Sequence, residues 1–240
     1  MSIPPPALGV NERYTRPWSV PRPGTLQELW PRSIRGAVVE LGAASGRNAA
    51  LLPAGTPYFG LEVDDALAAE GVSKGLAIGL CDLDKPKDVQ RQAEVLSGAE
   101  TILALDVLEH LQDPRTTIRQ VLALHPIAHR WIISVPNAVF LSARLEVCSG
   151  HFPRRTSGLF DETHRQFYDR QTLHSHLLAP FPDCSATVVG TALPVGGERL
   201  ARWSATSRLV PVAERFAAWT ARVRPQIFSY EWLAVVDVPT

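Results

Sequence analysis

Val38-Val39-Glu40-Leu41-Gly42-Ala43-Ala44-Ser45-Gly46 begins apolar and ends in a glycine turn. The apolar part is short and led by β-branched residues, so residues 37–41 read as a buried strand. The glycines let the backbone reverse sharply and come close to a bound ligand. A helix is expected to open at 48–52. Taken alone the turn is weak, because it lacks the G-x-G-x-x-G spacing of dinucleotide folds and serves as well for a packing loop.

The flanking sequence adds to it. Residues 58–63 make a second strand that ends in acids, and helix and strand then alternate: helix 65–70, strand 75–81, helix 88–96, strand 101–105. Asp113-Pro114 is an N-cap with proline at the first helical position, and Ile118, Val121 and Leu122 mark the buried face of the helix that follows. A fifth strand over 131–135 stops at Pro136-Asn137. Short apolar strands alternating with helices require crossover connections, and therefore a mostly parallel sheet covered on both faces. In such sheets ligands sit beyond the carboxyl ends of the strands, where the strand order reverses. Glu62, twenty residues after Gly42, falls at one such end, where a carboxylate can accept both hydroxyls of a ribose; Asp82 falls at the next. Each acid alone reads more simply as a solvated strand-end residue, but acids at successive strand ends beside a glycine turn make coincidence a poor account.

Over about residues 35 to 190, with a final strand at 231–238, the chain resembles the class I S-adenosylmethionine-dependent methyltransferases. The resemblance is carried by the glycine turn, Gly60-Leu61-Glu62, Asp82-Leu83-Asp84-Lys85-Pro86, the run from Leu105 to Pro114 and Ile132-Ile133-Ser134-Val135-Pro136-Asn137. It implies an α/β, Rossmann-like, doubly wound, mostly parallel seven-stranded sheet with an antiparallel final strand and helices on both faces. It implies S-adenosyl-L-methionine as cofactor, with Glu40, Gly42, Ala43, Ser45 and Gly46 around the methionine part and amine, Glu62 on the ribose, Asp82 and Leu83 on the adenine, and Asp106 near the sulfonium. Ala44 departs from the family, which usually has its middle glycine there. Methyl transfer needs alignment and exclusion of water rather than a protein nucleophile, which agrees with the lack of a Ser-His-Asp pattern.

Asp106-x-x-Glu109-His110 has i, i+3, i+4 spacing, which on a helix would bring the three side chains to one face. Together with His164, in Thr163-His164, the set is similar to the region that holds a divalent ion in ubiquinone-pathway O-methyltransferases and small-RNA 2′-hydroxyl methyltransferases. The hard, oxygen-rich donors would suit Mg2+ or Mn2+. The other reading makes Glu109, His110 and His164 catalytic or substrate-contacting groups, with His164 as general base. It is preferred, because Asp106 is a short carboxylate and no third one is evident; no residue is assigned as a metal ligand.

The chain has 240 residues, 24 basic and 24 acidic, and is 45% hydrophobic, a composition that fits one large globular domain. Zero formal charge and the absence of a basic, aromatic-rich stripe count against a nucleic-acid partner. The first residues look like neither an export signal nor a membrane span, and Cys81, Cys148 and Cys184 lie far apart, so a cytoplasmic location is expected. Residues 1–24 hold six prolines and read as an extended arm; 25–240 read as a single methyltransferase domain, with an amphipathic helical insertion near 195–224 packed on the sheet. His125, His129, His151, His174 and His176 read as surface or helix residues. The expected reaction is O-methylation of a small molecule, lipid head group or glycan. The competing readings are a non-catalytic relative of the fold and an RNA 2′-hydroxyl methyltransferase. Oligomeric state is not legible.

Overall fold

In the computed structural model the described residues are 22–125, 129–152, 154–156, 158–193 and 210–239. Seven strands form one sheet: β1 Val38–Leu41, β2 Tyr58–Glu62, β3 Ile78–Leu80, β4 Thr101–Leu105, β5 His129–Pro136, β6 Ser185–Thr191 and β7 Glu231–Val238. Their order is β3-β2-β1-β4-β5-β7-β6. β7 runs antiparallel to both its neighbours and the other pairings are parallel, so the antiparallel final strand expected from the resemblance is present.

Consecutive residues of a strand point to opposite faces, and here both faces are covered. Val39, Ile102 and Ile133 join one apolar cluster with Ile118, Val121 and Trp232, whereas Val38, Leu103, Ile132 and Leu233 join a second with Leu26 and Trp30. Each such fully buried aliphatic side chain contributes roughly 1.5–3 kcal/mol. The chain moves outward in opposite directions from β1 and β4, so the sheet's switch point lies between them, beyond Leu41 and Leu105.

Several local expectations are corrected. Residues Arg47–Leu51 form a 3-10 turn rather than an α-helix, the third strand is limited to Ile78–Leu80, and the helix expected over 88–96 is two short ones, Pro86–Arg91 and Ala93–Ser97. β6 escapes sequence reading because it pairs only with β7 at the sheet edge and most of its residues are exposed or half-exposed, leaving no apolar run. His125 and His129 are buried, their rings stacked 3.6 Å apart, contrary to a surface reading. His151, His174 and His176 are exposed.

Residues 1–21 and 194–209 lie outside the described residues, and with them most of the arm and half of the helical segment read from the sequence. The remainder of that segment is a helix, Val210–Val223. It packs through Thr220 and Ala221, while Val212, Phe216, Trp219 and Val223 face outward, so its large apolar residues are not the ones against the sheet.

Candidate functional site

A cavity of about 710 Å3 lies at the switch point. Its walls come from the ends of β1, β2, β4 and β5, the residues after β3, the start of β7 and the segment around His164. That volume is in the range of small-molecule and cofactor sites.

At the turn, Gly42 has φ 69°, and a Cβ built on it would lie 2.4 Å from Cγ2 of Val107. Only glycine fits. Ala44 also adopts a left-handed conformation, φ 50°, at a cost of roughly 1–2 kcal/mol for a residue with a Cβ. Its amide donates to Glu62 Oε2 at 2.7 Å, and the other Glu62 oxygen accepts from Val63 and Asp64, both at 2.9 Å. Glu62 thus braces the strained turn while still lining the cavity. A carboxylate offers about four lone-pair sites, so acceptor capacity remains.

The cofactor set from the sequence divides in two. Gly42, Ala43, Glu62, Asp82, Leu83 and Asp106 line the cavity. Glu40, Ser45 and Gly46 do not. The fully buried Glu40 carboxyl is turned away, accepting from Asn48 and from the Tyr58 hydroxyl, and burial lifts its pKa to about 7 despite these bonds. Ser45 accepts from Lys74 Nζ at 3.1 Å, and a Cβ on Gly46 would meet Leu76. These three shape the turn from behind. Asp82 accepts from the Asp84 amide at 3.1 Å and lies 3.0 Å from Lys85 Nζ.

The second constellation is rearranged. Asp106, Glu109 and His110 share no helical face, because Asp106 sits at φ 50° ahead of a single 3-10 turn, Leu108–His110. Ser134 Oγ donates to Asp106 Oδ1 at 2.7 Å and accepts from the Asp106 amide at 3.0 Å. That leaves Glu109, His110 and His164, whose ligand-type atoms lie within 4.8 Å of one another. The two imidazole rings meet edge to face, 4.7 Å apart.

Their protons follow from their partners. His164 Nδ1 lies 3.1 Å from the carbonyl oxygen of Leu159, which can only accept, so Nδ1 carries the hydrogen and the Nε2 lone pair is free. Thr163 Oγ1 donates to Asp161 Oδ1 at 2.7 Å and lies 3.0 Å from His110 Nδ1, so Nδ1 of His110 is again the donor. Burial would raise Asp161, but the amide and hydroxyl of Thr163 outweigh it and hold the carboxyl below its ordinary value. Burial pushes both histidines below theirs, and His164 lowers His110 further. Both imidazoles are therefore neutral near pH 7.

Glu109 is 1% exposed, and neither of its carboxyl oxygens has a hydrogen-bond partner; the nearest basic atom is His164 Nε2, 3.9 Å away. Burial, then the charge of Asp106, raises its pKa well above the ordinary value. Arg47, Tyr230 and Glu231 also line the cavity and were not found from the sequence. Glu231 is raised by burial and by Asp106, and Arg47 offsets part of the shift in both acids. A signal existed for Glu231, an acid opening the apolar run Trp232–Val236; nothing local marks Arg47.

A model of the methyltransferase domain family matches residues 16–179. No curated protein matches the sequence significantly. The fold is shared with a SAM-dependent methyltransferase from Archaeoglobus fulgidus, at 13% identity over 88% of this chain and 94% of that one, TM-score 0.52. A SAM-dependent methyltransferase from Thermotoga maritima gives 12%, 88%, 90% and 0.55. Magnesium protoporphyrin IX methyltransferase from Synechocystis PCC 6803, solved with bound SAH, gives 15%, 84%, 73% and 0.51.

Proposed function

Because the chain belongs to the methyltransferase domain family and is an S-adenosylmethionine-dependent enzyme, we propose that its acceptor atom is a hydroxyl oxygen, of a small molecule, lipid head group or glycan, and that His164 is the base. The observation that carries this reading is the Leu159 carbonyl on His164 Nδ1, which leaves a neutral imidazole with its Nε2 lone pair at the cavity wall.

The cavity fits the cofactor. Glu62 keeps about one acceptor site for a ribose hydroxyl, Asp82 and Leu83 flank the place for the adenine, and the Cβ-free face of Gly42 with Ala43 leaves room for the methionine part. S-adenosylmethionine, when bound, supplies an electrophilic methyl group and leaves as S-adenosylhomocysteine, with the electron pair of the broken carbon–sulfur bond on sulfur. His164 Nε2 takes the acceptor's hydroxyl proton as the oxygen bonds to the methyl carbon. The apolar wall of Leu61, Leu67, Leu83 and Leu105 excludes water from the cofactor's part of the cavity.

A second reading rests on the orphaned carboxyl of Glu109. With two Nε2 lone pairs nearby, Glu109, His110 and His164 would hold a divalent cation, Mn2+ rather than Mg2+ because two of the three donors are imidazoles, and it would lower the pKa of an acceptor hydroxyl. Asp106 is left out, being bonded to Ser134. No helix among the described residues is long and apolar enough to cross a membrane.

Transfer of labelled methyl to metabolite, lipid and glycan extracts identifies the acceptor. With it in hand, and chelator present, His164→Ala is expected to lower turnover by about 10²–10⁴-fold at unchanged cofactor affinity. The acid limb of the wild-type rate should fall below the ordinary imidazole pKa, because His164 is shifted down. Loss of activity in chelator with recovery in Mg2+ or Mn2+ would move the assignment to the metal. Full activity of His164→Ala in chelator would remove both.

A further inference from the structure

We propose that the acceptor carries an anionic group, carboxylate or phosphate, on an aromatic body, and that Arg154 and Arg165 receive the anion beside the Phe167 ring. The proposal rests on the methyl-acceptor reading of the cavity and names the acceptor's chemical class.

Beyond His110, Thr163 and His164 the cavity continues into a second, more open concavity, lined also by Arg154, Glu162, Arg165 and Phe167. Arg154 is held in place there. Its guanidinium donates to the carbonyl oxygens of Glu162, at 2.6 Å, and His164, at 3.3 Å, and lies 5.8 Å from the centre of the Phe167 ring. Carbonyls fix its position without neutralising its charge, and of its five N–H donors these bonds use two. Neither Arg154 nor Arg165 has a carboxylate partner among the described residues, whereas Arg155 alongside is paired with Glu146 at 2.8 Å. Among the residues lining the concavity two arginines stand against one acid, Glu162, and the next acid, Asp161, is bonded to Thr163.

Of the phenylalanines Phe167 lines the concavity, and Phe152 and Phe160 pack around that ring without lining it. Phe152 and Phe160 stand 4.9 Å apart, edge to face, and Phe167 lies 5.7 Å from Phe152 and 6.0 Å from Phe160. Phe152 is 58% exposed, so this ring presents an open face. A guanidinium lying over the Phe167 ring, with the exposed side of Phe152 next to it, matches a ligand that is flat, apolar and charged at one end. Because Arg154 binds the backbone carbonyl of His164, the anion site and the proton acceptor belong to one short segment. A planar fork is the geometry that recognises carboxylate and phosphate by paired bonds.

Titration calorimetry on the full chain, saturated with S-adenosylhomocysteine, provides the test, with benzoate, phenyl phosphate and neutral benzyl alcohol as probes. At least one anion should bind tenfold or more tighter than benzyl alcohol, and weaken as salt is raised; which of the two binds better separates carboxylate from phosphate. Arg154→Gln should remove most of that preference. Since Arg154 also ties two carbonyls, Arg165→Gln is the companion variant; its side chain carries no hydrogen bond in the described residues, and it should weaken the anion at least threefold. Equal affinity for the neutral probe, or anion binding untouched in both variants, overturns the proposal. If S-adenosylhomocysteine itself fails to bind, the fault lies with the methyltransferase assignment of the cavity; cofactor binding with no anion preference overturns the vestibule alone.

Discussion

Ala44 shows how a departure from the family pattern is accommodated. Its left-handed conformation is unfavourable for a residue with a Cβ, yet its amide and those of Val63 and Asp64 converge on one buried carboxylate, Glu62. On the proposed function Glu62 serves the cofactor as well as the turn it braces. Glu62→Ala is expected to weaken S-adenosylmethionine binding and, with no ligand present, to cost roughly 1–3 kcal/mol of folding stability, because backbone donors lose their acceptor. Urea unfolding and calorimetric titration of the same variant measure the two losses. Unfolding unchanged within a few tenths of a kcal/mol would mean that the turn holds its shape without the carboxylate. Asp106 solves the same problem at φ 50° by exchanging bonds with Ser134, which is why it is withdrawn from Glu109 and the histidines.

Among the elements, the helix Pro114–Leu124 was the most legible. Asp113 accepts from the Thr116 amide at 3.1 Å and from the Thr116 hydroxyl at 2.6 Å, Pro114 occupies the first turn, and Ile118 and Val121 are fully buried. Asp113→Ala should cost about 1 kcal/mol, as for loss of an N-cap. The hydroxyl and amide of Thr116 hold the Asp113 carboxyl below its ordinary value, so the cap is complete above that value and is lost as pH falls through the lowered one. Thermal unfolding of variant and wild type should differ at pH 7 and converge in strong acid; an equal gap at every pH would show that the ionised carboxylate is not what caps the helix. At β6 the same kind of reading fails, since an edge strand with one neighbour and an exposed face has no periodic apolar signal.

For the whole molecule, buried carboxyls set the pH response. Burial lifts Glu40 from 4.5 to about 7, against the hydrogen bonds from Tyr58 and Asn48. Between these values the folded chain keeps a proton that the unfolded chain releases, so stability falls as pH rises through the window, by at most about 1.4 kcal/mol per pH unit for one proton. His110 and His164, shifted down, act in the opposite sense and lose stability as pH falls. They contribute equally to wild type and Glu40→Gln. Denaturant unfolding at pH 5, 6, 7 and 8 should therefore give a flatter or more upward trend in Glu40→Gln, and parallel trends would mean that Glu40 is ionised throughout in the fold.

Sequence alone determined the alternation of strand and helix and the positions of the glycine turn and the strand-end acids. Those features depend on local periodicity and on residue types that few backbone conformations accept, and such information is written in neighbouring residues. Tertiary structure decided which way the polar groups face. Ser134 draws Asp106 aside from 28 positions away, and Thr163 sets the His110 proton across 53. β7 sits between β5 and β6 and so brings Tyr230 and Glu231 to the cavity. A side chain at a strand end turns toward whatever partner the sheet order sets beside it, and that order is fixed by burial over the whole chain.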